Sequence, residues 1–252
     1  MKKDNKMKKT GKLVWLEMNT MRSAIAQQFY TDTFCWSVSP IQVPPWGVLP
    51  ILSNKEKSFA NIFTAMGSFA PSHWLCFISG NVDEAAAKGK EFGLDTGGIQ
   101  ELGEWARIAC MSDAKGNDFF VIEIQDGDPE DPVLNGSPYV CELWTKDPQE
   151  VVPFYESLFD LKAKKTDRGW SLYDTEDELR LLVRKQLHED GVFPGWIPYF
   201  RSCSVGGDRR RAEQNGAIEN IYQETCPVIG DISILSDPAG GFFGLLNPKD
   251  KE

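Results

Sequence analysis

Histidine is the scarcest chemically useful residue here: the 252 residues carry only His73 and His188. That shortage works against a centre built mainly from imidazoles. Neither histidine has a recognisable nucleophile elbow or acid partner, so a Ser-His-Asp set finds no support. The six cysteines form no CxxC pair and no compact framework. Several stand in apolar strand-like runs, such as Ile108-Ala109-Cys110-Met111 and Tyr139-Val140-Cys141. Buried reduced thiols in a cytoplasmic protein are the expectation. Clustered positive charge is also short. Lys and Arg number 27 against 37 Asp and Glu, for a formal net charge of −10, which works against a nucleic-acid surface. The one basic cluster outside the N-terminal tail, Arg209-Arg210-Arg211, sits in a helical stretch and reads as a solvated helix face. No apolar run is long enough for a membrane span. The basic start MKKDNKMKKTGK meets Glu17 after a short apolar run, unlike a signal peptide. Gly80–Gly89 lacks the spacing of a phosphate-binding loop.

What the chain does have is a repeat. Trp15–Trp36 occurs again 125 positions later as Val140–Leu161, without a gap: Glu17 falls on Glu142 (142 − 17 = 125), Thr20 on Thr145, Phe29 on Phe154, Tyr30 on Tyr155 and Phe34 on Phe159. Each copy reads as a strand, a short turn and an amphipathic helix, with one carboxylate inside an apolar strand. The repeat sets two domains of about 120 residues each. With 41% hydrophobic and 12% aromatic residues, each can bury a core.

In chain order, residues 1–11 read as a disordered basic tail. The first domain, 12–125, runs strand, helix, three strands, and then repeats that plan from His73 onward. Asn81–Gly93 is a clear helix, with acids in its first turn, lysines later and a closing glycine. Asp126–Pro138, rich in Pro, Asp and Gly, reads as the linker. The second domain, 139–248, repeats the plan, opening its first helix with Asp147 as N-cap and Pro148 at the first helical position. Trp196–Phe200 matches Trp74–Ile78, and Ile232–Gly240 matches Ile108–Gly116. The expected class is α+β: four βαβββ units paired into two open barrels.

Four such units, a W-x-E opening strand, an FY pair late in the first helix and a D-P-x-G turn before the last strand resemble the vicinal oxygen chelate superfamily. This is the glyoxalase, bleomycin-resistance and extradiol-dioxygenase group, and the similarity runs from about Leu13 to Pro248, closest to its two-domain glyoxalase-like members. The resemblance implies curled sheets around a cavity for a small molecule and a divalent metal, held by His, Gln or Glu on first strands and a Glu on the last.

Carried over residue by residue, those ligand positions fall on Trp15, Leu75 and Val121 in the first domain and on Val140, Ile197 and Gly244 in the second. No side chain among them binds a cation. One strand period away stand Glu17, His73 and Glu123, which would form a displaced metal site or an acid/base pair in the first domain. The second domain keeps Glu142 alone of that set. The bland alternatives stand beside this. The repeated glutamate accepts hydrogen bonds inside the barrel, His73 is a rim residue, and Glu123 depends on the strand register. Trp15, Trp144 and Trp196 sit where an open barrel lines its cavity, suiting a flat or apolar ligand. Leu187–Gly195 is either a lid or only a connection.

Three readings follow. The first is a bleomycin-resistance-like protein that binds a small molecule without the family's usual metal. Its candidate ligand-binding residues are Trp15, Glu17, His73, Leu75, Glu123, Glu142, Trp144 and Trp196. The second is a metal-dependent lyase or dioxygenase-type enzyme using Glu17, His73 and Glu123. The third is a degenerate structural or partner-binding protein. The expected assembly is a monomer or homodimer, with no nucleic-acid or membrane partner.

Overall fold

The computed structural model describes residues 10–43, 47–65, 72–94, 96–129, 134–186, 195–226 and 229–249. Residues 1–9 of the expected tail (1–11) and residues 187–194 of the expected lid (187–195) lie outside them, while Thr10 and Gly11 are held by hydrogen bonds to Phe159 O and Ser79 O. Four modules of identical plan follow one another. The first holds β1 (Leu13–Thr20), α1 (Ser23–Phe34), β2 (Ser37–Val43), β3 (Gly47–Asn54) and β4 (Lys57–Thr64). The second holds β5 (His73–Ser79), α2 (Val82–Glu91), β6 (Thr96–Leu102), β7 (Ala106–Ser112) and β8 (Asp118–Ile124). The third holds β9 (Pro138–Thr145), α3 (Pro148–Phe159), β10 (Lys162–Thr166), β11 (Gly169–Tyr173) and β12 (Leu179–Lys185). The fourth holds β13 (Gly195–Arg201), α4 (Val205–Gln214), β14 (Ile218–Cys226), β15 (Gly230–Ser236) and β16 (Phe242–Pro248).

Within each module the last three strands form an antiparallel meander, and the first strand adds in parallel to the last. The pairs are β1 with β4, β5 with β8, β9 with β12 and β13 with β16. A helix is the connection that lets two parallel strands sit side by side. At the far side of the meanders, β2, β6, β10 and β14 pair along one edge only among the described residues, so the sheet is not a closed barrel.

Local chemistry explains the helix ends. Asn81 Oδ1 accepts from Glu84 N at 2.9 Å and caps α2, whose first turn is acidic and whose last turn is basic. Asp147 does occupy the N-cap position of α3, but its side chain makes no capping hydrogen bond, and Pro148 starts that helix. Cys35 and Asp160, at equivalent places in the repeat, both end their helices in left-handed conformation, at φ 56° and 51°.

Two compact units form, and they do not follow chain order. One takes in the described residues of Met1–Val14, Cys76–Glu130 and Val140–Gly195, mainly the second and third modules. The other takes in those of Trp15–Leu75, Asp131–Tyr139 and Trp196–Glu252, mainly the first and fourth.

Each unit uses the FY pair and the D-x-x-G turn in the same way. In the first unit, Tyr155 OH donates to Asp113 Oδ2 at 3.0 Å, while Asp113 Oδ1 accepts from Lys115 N and Asn117 N. In the second, Tyr30 OH donates to Asp237 Oδ2 at 2.8 Å, while Asp237 Oδ1 accepts from Ala239 N and Gly241 N. Burial, and after it the neighbouring aspartate charge, pushes both phenols well above their usual range. Burial also raises the Asp237 carboxyl, against the pull of its hydrogen-bond donors. Aromatic rings pack around both contacts. Phe119 lies 5.5 Å from Tyr155, and Tyr30 stacks on Trp36 at 5.2 Å.

The end of the expected linker is stitched into the second unit. Gly136 N donates to Arg201 O, Arg201 N donates to Ser137 O, and Asn54 Nδ2 donates to Ser137 Oγ. Among the described residues no helix is long and apolar enough to cross a membrane.

Candidate functional site

Period-two alternation gives β1 two faces. Leu16, Met18 and Thr20 are buried, whereas Trp15, Glu17 and Asn19 are half-buried on the other side. The parallel register sets Asn61 of β4 directly beside Glu17. Trp15 Nε1 donates to Asn61 Oδ1 at 2.7 Å, Asn61 Nδ2 donates to Glu17 Oε2 at 2.9 Å, and Asn19 Nδ2 donates to Glu17 Oε1 at 3.1 Å. An indole only donates, so it fixes which way the Asn61 amide points. Each carboxylate oxygen of Glu17 thus receives an amide N–H. Asn61 is only 4% exposed, so this is a preorganised acceptor at the edge of a buried network.

The repeat of this strand is built differently. Glu142 of β9 is 2% exposed. Trp144 Nε1 donates to its Oε2 at 2.7 Å, and Arg168 Nη2 lies 3.2 Å from Oε1. Arg184 of β12, level with Trp144 in the ladder, holds its guanidinium 5.0 Å from the indole centroid. Gly169 explains how the β10–β11 turn reaches so close. A Cβ there would lie 2.3 Å from Val183 O, so only glycine lets the turn that carries Arg168 press onto β12. Nearby, Arg180 pairs with Asp174 at 2.7 Å. The Asp174 carboxyl is held below its usual range: burial opposes this, but the Glu178 amide and the Arg180 guanidinium prevail.

The remaining expected residues are dispersed. His73 is exposed at the start of β5, and Leu75 is half-buried on the same strand. Trp196 is buried directly across from Trp74, whose ring packs edge-on against Tyr30 at 5.6 Å, so Trp196 is paired with a core residue. Glu123 departs from its expected placement by one residue of register. Phe77 stacks on Phe120 at 4.5 Å on one face of β5 and β8, which sends Val121 and Glu123 to the other face. There Glu123 meets the first turn of α2 at Val82 N and lies 3.5 Å from Arg107. Four residues escaped the sequence reading: Asn19, Asn61, Arg168 and Arg184. A signal existed for two of them. Asn61 interrupts the apolar run Phe59–Phe63, and LRLLVRK places Arg180 and Arg184 on one face of a strand.

No protein-family model matches the chain. At the level of sequence it is similar to CFP32 of Mycobacterium bovis and of Mycobacterium tuberculosis, a protein named only provisionally as a glyoxylase. The identity is 21% over 255 residues, covering 94% of this chain and 95% of that one. At the level of structure it matches the Mn(II)-bound glyoxalase from Novosphingobium aromaticivorans, with a TM-score of 0.68 and 12% identity, over 96% of this chain and 83% of the other. It also matches a variant of homoprotocatechuate 2,3-dioxygenase from B. fuscum in complex with HPCA. There the TM-score is 0.68 and the identity 11%, over 96% of this chain and 72% of the other. This is the vicinal oxygen chelate fold.

A vicinal oxygen chelate fold raises the question of a metal, and the side chains at the corresponding positions do not fit one. Trp15, Leu75, Val140 and Ile197 offer no ligand atom, and Val121 lies on the face opposite Leu75. At Gly244 the ring of Tyr199 already lies where a side chain would start, 2.4 Å from a Cβ built there. Glu17, one strand period along, is a lone carboxylate whose oxygens each accept one amide N–H, with no second ionic ligand beside it among the described residues. Among the described residues no group of three or more His, Cys, Asp or Glu is placed to hold an ion.

Proposed function

We propose that this chain binds a small molecule on the half-buried face of β1, through Trp15, Glu17, Asn19 and Asn61, without a metal bridging ligand and protein. One observation carries the reading: the Trp15–Asn61–Glu17 relay is a fixed indole beside a fixed carboxylate, and that side of the strand is not sealed. Such a pair suits a flat guest bearing a cationic or hydrogen-bond-donating group, with the ring on the indole and the donor on the carboxylate. The formal net charge of −10 favours the same kind of guest. The neighbours' names, a glyoxalase and a ring-cleaving dioxygenase, agree with a small organic ligand in this fold.

The test is a tryptophan-fluorescence titration of the purified protein against planar amines and their neutral analogues, with elemental analysis of the same preparation. Glu17→Gln is expected to weaken binding of a cationic guest by about tenfold, a loss of about 1.4 kcal/mol. Stoichiometric divalent metal that disappears in Glu17→Ala would overturn this reading in favour of a metal-dependent lyase or dioxygenase-type activity.

A further inference from the structure

An exposed edge strand invites pairing with another chain, and proteins commonly blunt such edges with lysine. The third module does so. Its β10, at one end of the strand order, carries exposed Lys162, Lys164 and Lys165. The counterpart at the other end, β2, has no charged residue and leaves Ile41 45% exposed. The difference runs inward along the ladder. Ile41 faces Leu49 where Thr166 faces Gly169, and Phe63 stands beside Asn19 where Arg184 stands beside Trp144. The module plan therefore has no need of apolar side chains at these places.

These apolar residues share a face with the β1 network. Asn61 bonds to Trp15 and Glu17 and pairs with Ile51 of β3. Leu49 lies two residues before Ile51 and Phe63 two residues after Asn61, so both point to the same side of the sheet. Ile41 continues that face at the edge. Leu49 and Phe63 are only half-buried, which leaves this side open to a ligand. From β1 through β4 and β3 to β2 the face crosses three interstrand spacings, about 14 Å. It begins at a fixed carboxylate and indole and ends in hydrocarbon. Another strand is a poor occupant, because it would pair along the free edge of β2, where Pro40 brings no N–H.

We propose that the β1 site takes amphiphilic amines: the flat cationic head rests at Trp15 and Glu17, and an unbranched alkyl tail lies over Phe63, Leu49 and Ile41. This rests on the β1 binding reading above and adds the tail to it. The carboxylate supplies the charge complement for the head, and Ile41, Leu49 and Phe63 supply the apolar area for the tail. The exposed isoleucine on an edge strand, a liability in the free protein, is then covered by the guest.

The test compares benzylamine with para-hexylbenzylamine by isothermal titration of the full chain, below the concentration at which the longer amine self-associates. A methylene is worth about fourfold in affinity when fully buried and about twofold on a face open on one side. The hexyl compound is therefore expected to bind tighter by about tenfold or more. Ile41→Thr, which copies Thr166, and Leu49→Thr are each expected to cut that ratio severalfold. Ile41 is exposed enough for its replacement to leave the fold intact. Val48→Thr is the control: Val48 is 61% exposed on the opposite face of β3, and the ratio is expected to stay as it is. Glu17→Gln is expected to weaken both amines alike and keep the ratio. Equal affinity for the two amines would overturn the tail site and leave the β1 reading standing, whereas no binding of either would overturn both. A ratio that survives Ile41→Thr and Leu49→Thr, or that falls as far in Val48→Thr, would also overturn the tail site.

Discussion

Glu17 and Glu142 hold the same place in two copies of one strand, yet one rests among amides and the other between an indole and a guanidinium. The tryptophans differ as well. Trp15 lies two residues before its glutamate and reaches it through Asn61, while Trp144 lies two residues after and donates to it directly. A duplicated strand thus preserves the acceptor and changes what surrounds it. The carboxylate is the shared inheritance, and the donors set the charge that surrounds each copy. By contrast, the Tyr30–Asp237 and Tyr155–Asp113 contacts are nearly the same in both units, as expected of groups that only hold the turns.

The largest way to break this comparison is to remove each glutamate. Glu142→Ala takes the carboxylate from a buried guanidinium and is expected to cost about 3–5 kcal/mol in urea unfolding. Glu17→Ala, whose side chain is half-buried among neutral donors, should cost about 1 kcal/mol or less. Equal losses would mean that both glutamates serve the same structural role.

Next come the two tyrosine contacts, where the units should behave alike. Tyr30→Phe and Tyr155→Phe each deprive a buried or nearly buried aspartate of a donor and should each cost about 1–3 kcal/mol. A clear difference between them would show that only one contact holds its unit together.

The same phenols predict an alkaline limit. Their folded pKa values lie above the unfolded value of about 10, so their contribution is complete below that pH and is lost as pH rises beyond it. Stability should therefore fall above about pH 10, and the double Tyr→Phe variant should fall less steeply. In an absorbance titration, phenolate from Tyr30 and Tyr155 should appear only with unfolding. Ionisation of all six tyrosines before the fold is lost would contradict this.

The smallest expected effect is at Asn61. Asn61→Leu installs the residue that the third module has at the same ladder position, and it should cost about 1 kcal/mol by thermal unfolding. It should also change the Trp15 fluorescence, because the indole loses its acceptor. An unchanged spectrum would show that the Trp15–Asn61 contact does not persist in solution.

Much of the architecture was legible because duplication writes it twice. The 125-residue offset, the FY pair and the acid-led turn each mark a position in a module, and hydrophobic periodicity supplies the elements between them. The candidate site was legible only in part. Glu17 and Glu142 stand out as carboxylates in apolar strands. Arg184 comes from β12 and Arg168 from a turn, and nothing local says that either will meet Glu142. Glu123 shows the converse failure. Period two gives a residue a face, but a one-residue shift reverses it, and the stacking of Phe77 on Phe120 decided that register.

By itself, then, the sequence determined the module, its fourfold use and the location of the two glutamates, because these follow from local pattern and repetition. Only the tertiary structure decided which modules share a compact unit. Tyr30 finds its aspartate 207 residues away and Tyr155 finds its own 42 residues back. The same choice set the electrostatics of each glutamate, because a carboxylate's surroundings come from neighbouring strands and turns. Pairing register and turn geometry put those donors in place, and neither is written in the strand that carries the charge.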